Sequence, residues 1–367
     1  MISSIPKNSP APIAMISGLA VIALLLLPGC AGNRPAEKPR SEAAAPSPST
    51  SDMILDAKTL ASNGQYEPAA ELLEKVLAGD KENLEAERLL ARIYAAMGKS
   101  EESARAWEKV FSLDPADPDA AYEIGSRLAK RKNWSELRSK MLSFIETGKQ
   151  DSRHYLLLGE ADLELGMKRD AEKYLKLASR LERAKFLLGK LYYENNRLDE
   201  AERMFKEVLA ENPNNFSSNL HLGWLYYNKG NKALALKHYR AAVRLMPESS
   251  LARLSLAKLL EEMGRTTEAI ENYEIALSQK GRAVEERKRA YINLCNLLVK
   301  KGRNEEALKY IAKGLEEFHS SGGLYYFWGV ILMKEGEREA ALTKLRKAAA
   351  DPLWQNTANK LISRIMR

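Results

Sequence analysis

The side chains that could do chemistry in this chain are two cysteines and four histidines, and their spacing offers little for catalysis. The histidines are His154, His221, His238 and His319, and the closest pair is 17 residues apart, unlike the short spacings of a metal site. The sequence has no Gly-rich phosphate loop, no His-Glu-x-x-His and no Cys-x-x-Cys. We therefore expect no enzyme activity, no metal, no cofactor and no small-molecule substrate.

The two cysteines stand in different kinds of sequence. Cys295 lies between Leu294 and Leu298 in a helical pattern, where a cysteine serves as a small buried hydrophobic residue. Cys30 follows an apolar run of 15 residues, 13–27, which has the length of a signal-peptide core and is short for a membrane span. If Cys30 is modified, no internal disulfide can form.

The segment Leu27-Pro28-Gly29-Cys30 resembles the lipobox of a bacterial lipoprotein signal peptide, which would cover residues 1–29. The resemblance implies cleavage before Cys30 and attachment of fatty acyl chains, such as palmitate, to that cysteine. The next residue, Ala31, is not the aspartate associated with inner-membrane retention, so we expect a lipid anchor on the periplasmic face of the outer membrane. The alternative is an uncleaved helical anchor, which also places the remainder of the chain outside the cytoplasm.

Composition divides the rest of the chain into a tether and a folded part. Residues 30–51 are rich in proline, alanine and serine and lack large apolar side chains, so they should form a disordered tether. The formal charge of +8 comes from 57 basic and 49 acidic residues that alternate along the chain. Without basic clusters interleaved with aromatic residues, nucleic acid is not an expected partner.

A turn signal recurs along the folded part with a nearly fixed period. The turn positions are Gly64, Gly98, Lys132, Gly166, Asn196, Gly230, Gly264, Gly302 and Gly336. Their spacings are 34, 34, 34, 30, 34, 34, 38 and 34 residues. Glycine and asparagine favour the left-handed backbone that ends a helix before a tight turn. We expect nine helix-turn-helix units, numbered 1 to 9 here, with one helix shortened near Arg180 and one lengthened at residues 283–287 by about one turn.

Each predicted unit carries small residues on both sides of its turn. Seven residues before the turn stand Ala57, Ala91, Gly125, Gly159, Gly189, Gly223, Ala257, Cys295 and Gly329. Five residues after it stand Ala69, Ser103, Leu137, Ala171, Ala201, Ala235, Ala269, Ala307 and Ala341. Antiparallel helices approach closely only where side chains are small, so these two sets should face each other. Unit 3, which has Lys132 and Leu137 at these positions, should pack less regularly.

This pattern resembles the tetratricopeptide repeat family over about residues 50–350. The segment 219–247, NLHLGWLYYNKGNKALALKHYRAAVRLMP, carries nearly every position of the family pattern. The resemblance implies an all-α fold, a right-handed α-solenoid of about nine tetratricopeptide repeats over residues 52–350.

The last residues, 351–367, should form a capping helix on the final repeat. Such a helix would cover an apolar face that has no neighbouring repeat. Its apolar side is expected to consist of Leu353, Leu361, Ile362 and Ile365.

The repeat architecture implies a groove lined by the first helix of every unit, and the partner is expected to be a protein or peptide. Residues one and four after Gly189 and Gly223 should project into this groove. They are Lys190, Tyr193, Trp224 and Tyr227. Aromatic residues beside a cation are typical of interface hot spots, although Tyr193 and Tyr227 could instead pack between adjacent units. The lysines and asparagines that bind a carboxylate in chaperone-binding relatives are missing from these positions, so an internal peptide segment or a folded surface is expected.

Two functions follow from this reading of the sequence. The first is a membrane-anchored periplasmic scaffold that mediates protein–protein interactions in the assembly of an envelope or secretion complex. The second is a dedicated assembly factor, such as a lipoprotein of type IV pilus biogenesis, outer-membrane insertion or exopolysaccharide export. The fold by itself does not choose between them.

Overall fold

A computed structural model describes residues 49–278 and 284–367, and these residues form nineteen α-helices and no strand. Eighteen helices form nine consecutive pairs and the last stands alone. The helices are α1 (Thr50–Ser62), α2 (Tyr66–Gly79), α3 (Leu84–Ala96), α4 (Ser100–Leu113), α5 (Pro118–Lys130), α6 (Trp134–Ile145), α7 (Ser152–Glu164), α8 (Lys168–Leu177), α9 (Glu182–Glu194), α10 (Leu198–Glu211), α11 (Phe216–Asn228), α12 (Lys232–Leu245), α13 (Ser250–Glu262), α14 (Thr266–Ser278), α15 (Val284–Lys300), α16 (Asn304–Glu317), α17 (Gly322–Lys334), α18 (Arg338–Ala349) and α19 (Gln355–Met366). The predicted all-α solenoid of nine repeats is confirmed.

All nine predicted turn residues have a left-handed backbone. Lys132 and Asn196 are the non-glycine residues with positive φ in the described ranges, at 56° and 59°. In every unit one residue stands between the end of the first helix and the turn residue, so the chain reverses direction at the predicted position. Gly148, at φ 74°, has the same backbone after α6, outside the nine predicted turn positions.

The N-terminal boundary of the solenoid differs from the predicted one. Helix α1 begins at Thr50, so residues 50–51 belong to the solenoid and not to the tether. The cause is a capping box: the Ser49 hydroxyl accepts from the Asp52 amide, and the Asp52 carboxylate accepts from the Ser49 amide. The predicted signal peptide, Cys30 and the rest of the tether lie outside the described residues. Among the described helices, none is long and apolar enough to cross a membrane.

The two helices of a unit meet at the predicted small residues. The Ser103 hydroxyl donates to the Ala91 carbonyl at 2.9 Å, and the Cys295 thiol donates to the Ala307 carbonyl at 3.8 Å. A second feature, not predicted, completes the contact: the residue sixteen positions after the small one lies on top of it. A Cβ atom added at Gly189 would lie 2.7 Å from Phe205 Cε1, closer than packed atoms approach.

Helix lengths absorb the two irregular spacings. Helix α8 has 10 residues and ends at Leu177, just before Arg180, and helix α15 has 17 residues beginning at Val284. Most other helices have 12 to 14 residues. The predicted shortening and lengthening by about one turn are therefore confirmed, and the helix pairs continue on both sides.

Unit 3 is the irregular unit, as expected. Its helices α5 and α6 contact each other less than the two helices of any other unit do. A Cβ atom at Gly125 would lie 2.9 Å from Leu157 on α7, so α5 rests on the first helix of unit 4 as well as on its own partner. The Arg138 guanidinium on α6 donates from Nε to the fully buried carboxylate of Asp162 on α7 at 2.6 Å. Unit 3 is thus joined to unit 4 by an ion pair whose carboxylate is buried and whose guanidinium is partly exposed.

Helix α19 covers the last repeat, but one predicted contact is wrong. Ala358 and Ile365 are buried against unit 9, and Leu361 and Ile362 are half-buried. Leu353 is 86% exposed, because it lies in the turn before α19 begins. Trp354 takes its place, with its ring 5.2 Å from that of Tyr326.

Candidate functional site

The first helices of neighbouring units pack side by side and form a continuous face. Helix α9 contacts α11, and α11 contacts α13, in addition to the second helices of their own units. Three aromatic residues on this face, Tyr193, Trp224 and Tyr227, are called the aromatic column below. Each of them is half-buried and packs against the main core, while the side chain of Lys190 is 51% exposed.

Trp224 connects units 6 and 7. Its indole Nε1 donates a hydrogen bond to Ser255 Oγ at 3.0 Å, and Ser255 is on α13. The Ser255 hydroxyl in turn donates to the Leu251 carbonyl at 2.9 Å. The polar atom of Trp224 is therefore satisfied within the chain, which leaves the ring surface for a partner.

The two tyrosines of the aromatic column also reach the next unit. The Tyr193 hydroxyl accepts from Asn228 Nδ2 at 2.6 Å, and the Tyr227 hydroxyl donates to the Glu262 carboxylate. Burial and then the Glu262 carboxylate raise the pKa of Tyr227 to about 12, and burial raises the pKa of Tyr193. Packing between units, the alternative considered from the sequence, is thus a real part of their role. Both side chains nevertheless remain partly exposed.

Lys190 lies at the edge of the aromatic column. Its ammonium is 3.8 Å from the Glu194 carboxylate, one turn further along α9. Burial lowers the pKa of His221 on α11, and the positive charge of Lys190 lowers it further. Lys190 is therefore near His221, whose ring is 4.8 Å from the ring of Trp224.

Sequence reasoning missed the aromatic layer beneath this site. His221 contacts the rings of Phe186 and Phe205, each at 5.2 Å between ring centres, and its Nδ1 donates to the Ser217 carbonyl at 2.8 Å. A signal was available, because His221 precedes Trp224 by three residues, which is one turn of the same helix. Through His221, this layer packs against the ring of Trp224.

The other residues considered for chemistry are structural. Cys295 is fully buried, and burial raises the pKa of its thiol to about 12, as fits a small hydrophobic residue. His154 is buried and caps α7 together with Asp151. Within residues 49–278 and 284–367, no group of three or more His, Cys, Asp or Glu side chains could hold a metal ion. The arrangement at the aromatic column offers ring faces and one ammonium group, which suit binding.

Models of protein families match most of the solenoid. One model described as "Tetratricopeptide repeat" matches residues 156–215, 186–250 and 254–322. A second model with the same description matches residues 60–123. Together the matches cover more than half of the chain.

Similar proteins share the repeats over part of their length. Protein O-mannosyl-transferase TMTC1 of Homo sapiens is 27% identical over 196 residues, 53% of this chain and 19% of that protein. The DnaJ homolog subfamily C member 7 homolog of Schizosaccharomyces pombe is 27% identical over 34% of this chain and 28% of its own length. DnaJ protein P58IPK homolog B of Oryza sativa subsp. japonica is 24% identical over 68% of this chain and 52% of its own length. The chain thus spans between about a fifth and a half of these relatives.

One solved structure shares the fold. The structure titled "Crystal structure of APC/C hetero-tetramer Cut9-Hcn1" aligns with a TM-score of 0.50 at 14% identity, over 87% of this chain and 76% of the aligned one. YrrB, described as a TPR protein with an unusual peptide-binding site, aligns with a TM-score of 0.43 at 22% identity, over 50% of this chain and 96% of its own. At these identities the first likeness concerns the fold alone.

Proposed function

Because the chain belongs to the tetratricopeptide repeat family, we propose that it is a scaffold that binds a partner protein through the aromatic column and Lys190. The observation that carries the proposal is the aromatic column itself. Its three rings lie on adjacent first helices, their polar atoms are bonded within the chain, and the rings remain partly exposed beside a cation. Such surfaces supply most of the binding energy in protein interfaces.

The expected partner segment is an extended peptide or a folded surface. The faces of Trp224 and Tyr227 can contact apolar and aromatic side chains of a partner, and Lys190 can contact a carbonyl or a carboxylate. No reactive group takes part, so the role is binding. The transferase activity in the name of the human relative belongs to a protein of which the matched stretch covers 19%.

The proposed place of action is the cell envelope. The support is in the sequence: Leu27-Pro28-Gly29-Cys30 resembles a lipobox, and the residues from Cys30 to the start of α1 suit a tether. We propose that a lipid on Cys30 holds the scaffold at a membrane, where it takes part in the assembly of an envelope or secretion complex. The identity of the partner would show whether the chain has a dedicated role in pilus biogenesis, outer-membrane insertion or polysaccharide export.

The experiment compares three tagged chains in pull-downs from membranes of expressing cells: wild type, Trp224→Ala plus Tyr227→Ala, and Lys237→Ala. Lys237 is exposed on α12, the second helix of the same unit, so its substitution is the matched control. The expected result is loss of specific partners from the double variant and retention by the control. If the double variant keeps its helical circular dichroism and recovers every partner, the aromatic column is not the binding site.

A further inference from the structure

A pocket opens on the face of the first helices beside the aromatic column, between units 4 and 5. It has a volume of about 330 Å³. Its apolar lining consists of Leu163 on α7 and Phe186, Leu187 and Leu191 on α9, with Trp134 from unit 3 at one side. Lys190, at the edge of the aromatic column, also lines it, so the pocket continues the proposed binding site.

The pocket coincides with the irregular stretch of the solenoid. Unit 4 is the unit whose second helix, α8, is about one turn shorter than its counterparts, and α9 begins four residues earlier than a regular period would place it. Trp134 is the first residue of α6 in unit 3, the unit whose own helices are least closely packed. The short helix α8, the early start of α9 and the loosely packed unit 3 therefore all lie beside this pocket.

The carboxylates at the rim of the pocket are paired, with one exception. Arg183 Nε donates to Glu160 Oε1 at 2.9 Å across the two helices, and Lys190 Nζ lies 3.8 Å from the Glu194 carboxylate. The ammonium of Lys168 donates to the neutral amide oxygen of Asn195 at 3.2 Å. The exposed carboxylate of Glu164 has no ion-pair partner within the described ranges. The pocket thus combines an apolar floor with one carboxylate at its mouth, that of Glu164, to which no cation of the described chain is bound.

We propose that this pocket receives one bulky apolar side chain, of the size of leucine to tryptophan, from an extended peptide that has a lysine or arginine next to that residue. The inference rests on the proposed function, because the same peptide would continue over the aromatic column. The apolar side chain leaves water on entering the pocket, and the basic neighbour meets Glu164. The two elements together define the peptide that this chain recognises.

The test uses the purified full chain and a phage-displayed library of random 12-residue peptides. We expect the enriched peptides to share one large apolar position with a basic neighbour. Replacement of that apolar residue by alanine in a fluorescein-labelled peptide should weaken binding on the order of tenfold or more, measured by fluorescence anisotropy. Replacement of the basic neighbour by glutamine should have a smaller effect that disappears in the Glu164→Gln variant.

Two substitutions of Leu163 examine the pocket itself. Leu163→Trp fills it, so the selected peptide should bind to this variant on the order of tenfold more weakly than to the wild-type chain. The alanine version of the peptide should bind to the Leu163→Trp variant as weakly as the selected peptide does, because the pocket is already closed. The matched control is Ala95→Trp, at the same position in unit 2, where the residue is exposed and should be neutral. Leu163→Ala enlarges the pocket and should shift the selected apolar residue towards tryptophan.

The outcomes separate this inference from the proposed function. If Leu163→Trp and Leu163→Ala leave affinity and selection unchanged while Trp224→Ala plus Tyr227→Ala abolishes binding, the groove binds peptides but the pocket does not. If the enriched peptides share no apolar position, the conclusion is again that the groove binds peptides but the pocket does not. If the wild-type chain enriches no peptide, both the pocket inference and peptide binding at the aromatic column are wrong.

Discussion

The indole Nε1 of Trp224 lies 3.0 Å from the Ser255 hydroxyl on the first helix of the following unit. The two residues are 31 positions apart in sequence and belong to different repeats. The bond fixes the orientation of a half-exposed indole ring on the surface where a partner is expected. A residue of one repeat thus depends on the next repeat for its binding geometry.

Substitutions at this pair should separate stability from binding. Ser255→Ala removes the acceptor and should lower the free energy of unfolding by about 1 kcal/mol, because the half-exposed indole N–H can turn to water. Partner binding should be kept, since the ring remains. Trp224→Ala should weaken binding by about 2 kcal/mol or more. Urea unfolding and calorimetric titration measure the two effects, and equal binding losses in both variants would contradict this assignment.

Gly223 should not tolerate a side chain. A Cβ atom there would overlap the ring of Tyr239, which is almost fully buried on α12. Gly223→Leu should lower the free energy of unfolding by about 1 to 3 kcal/mol through overpacking. The control is Gly79→Ala, at a helical glycine with no atom within 4 Å of the added Cβ, which should be neutral or slightly stabilising. Equal thermal melting of Gly223→Leu and wild type would show that this packing position is assigned incorrectly.

Loss of one partner of the ion pair between units 3 and 4 should lower the free energy of unfolding more than replacement of both partners. Arg138→Met leaves the fully buried Asp162 carboxylate without its guanidinium partner, and should lower the free energy of unfolding by about 3 kcal/mol at pH 8. Burial already raises the pKa of Asp162, so the loss should be smaller at pH 5, where the carboxylate can take up a proton.

The double variant Arg138→Met plus Asp162→Leu is the matched comparison for this pair. It removes both charges, so urea unfolding should show most of the stability regained. A double variant as unstable as Arg138→Met would mean that the pair contributes through packing and not through its charges.

Two half-buried histidines should make stability depend on pH between about 7 and 5. Burial lowers the pKa of His221, and burial together with Lys237 and Lys206 lowers that of His238 to about 4, below the usual 6.5. As the pH falls through 6.5, the unfolded chain binds protons that the folded chain does not, so the free energy of unfolding decreases. Below the folded-state pKa the decrease stops.

The measurement is the urea midpoint at pH 7 and pH 5. We expect a lower midpoint at pH 5 and a smaller difference in His238→Gln, with the same substitution at exposed His319 as the control. Carboxylates such as Glu202, whose ion pairs lower its pKa to about 2, do not titrate in this window. Identical wild-type midpoints at the two pH values would argue against buried neutral histidines.

Cys30 should determine membrane attachment. We expect the mature chain to begin at Cys30, to carry acyl chains and to leave membranes only in detergent, because each buried methylene contributes about 0.8 kcal/mol. Cys30→Ser should accumulate as an uncleaved precursor, whereas Cys295→Ser should be processed normally. Mass spectrometry of the wild-type chain decides the matter, and a mature chain without acyl mass would exclude the lipid anchor.

Local pattern was sufficient to predict the repeats and where the candidate site lies along them. The nine turn residues and the small residues before them could be located from the sequence, because a left-handed turn and a close helix contact each restrict one position to a few residue types. The same spacing identified Lys190 and Trp224 as neighbours on adjacent first helices. It also predicted the changed lengths of α8 and α15, since a helix can lose or gain a whole turn without rotating its apolar face.

The sequence by itself thus determined the helices, their pairing and the buried nature of Cys295, because these depend on contacts within one unit. The tertiary structure decided which side chains meet between units: Trp224 with Ser255, and Trp134 beside Leu163. It also decided that Leu353 stays in water while Trp354 packs on the last repeat. The physical reason is that these contacts depend on how one helix pair is shifted and rotated against the next. The whole interface between the units determines that geometry, and local residue spacing does not predict it.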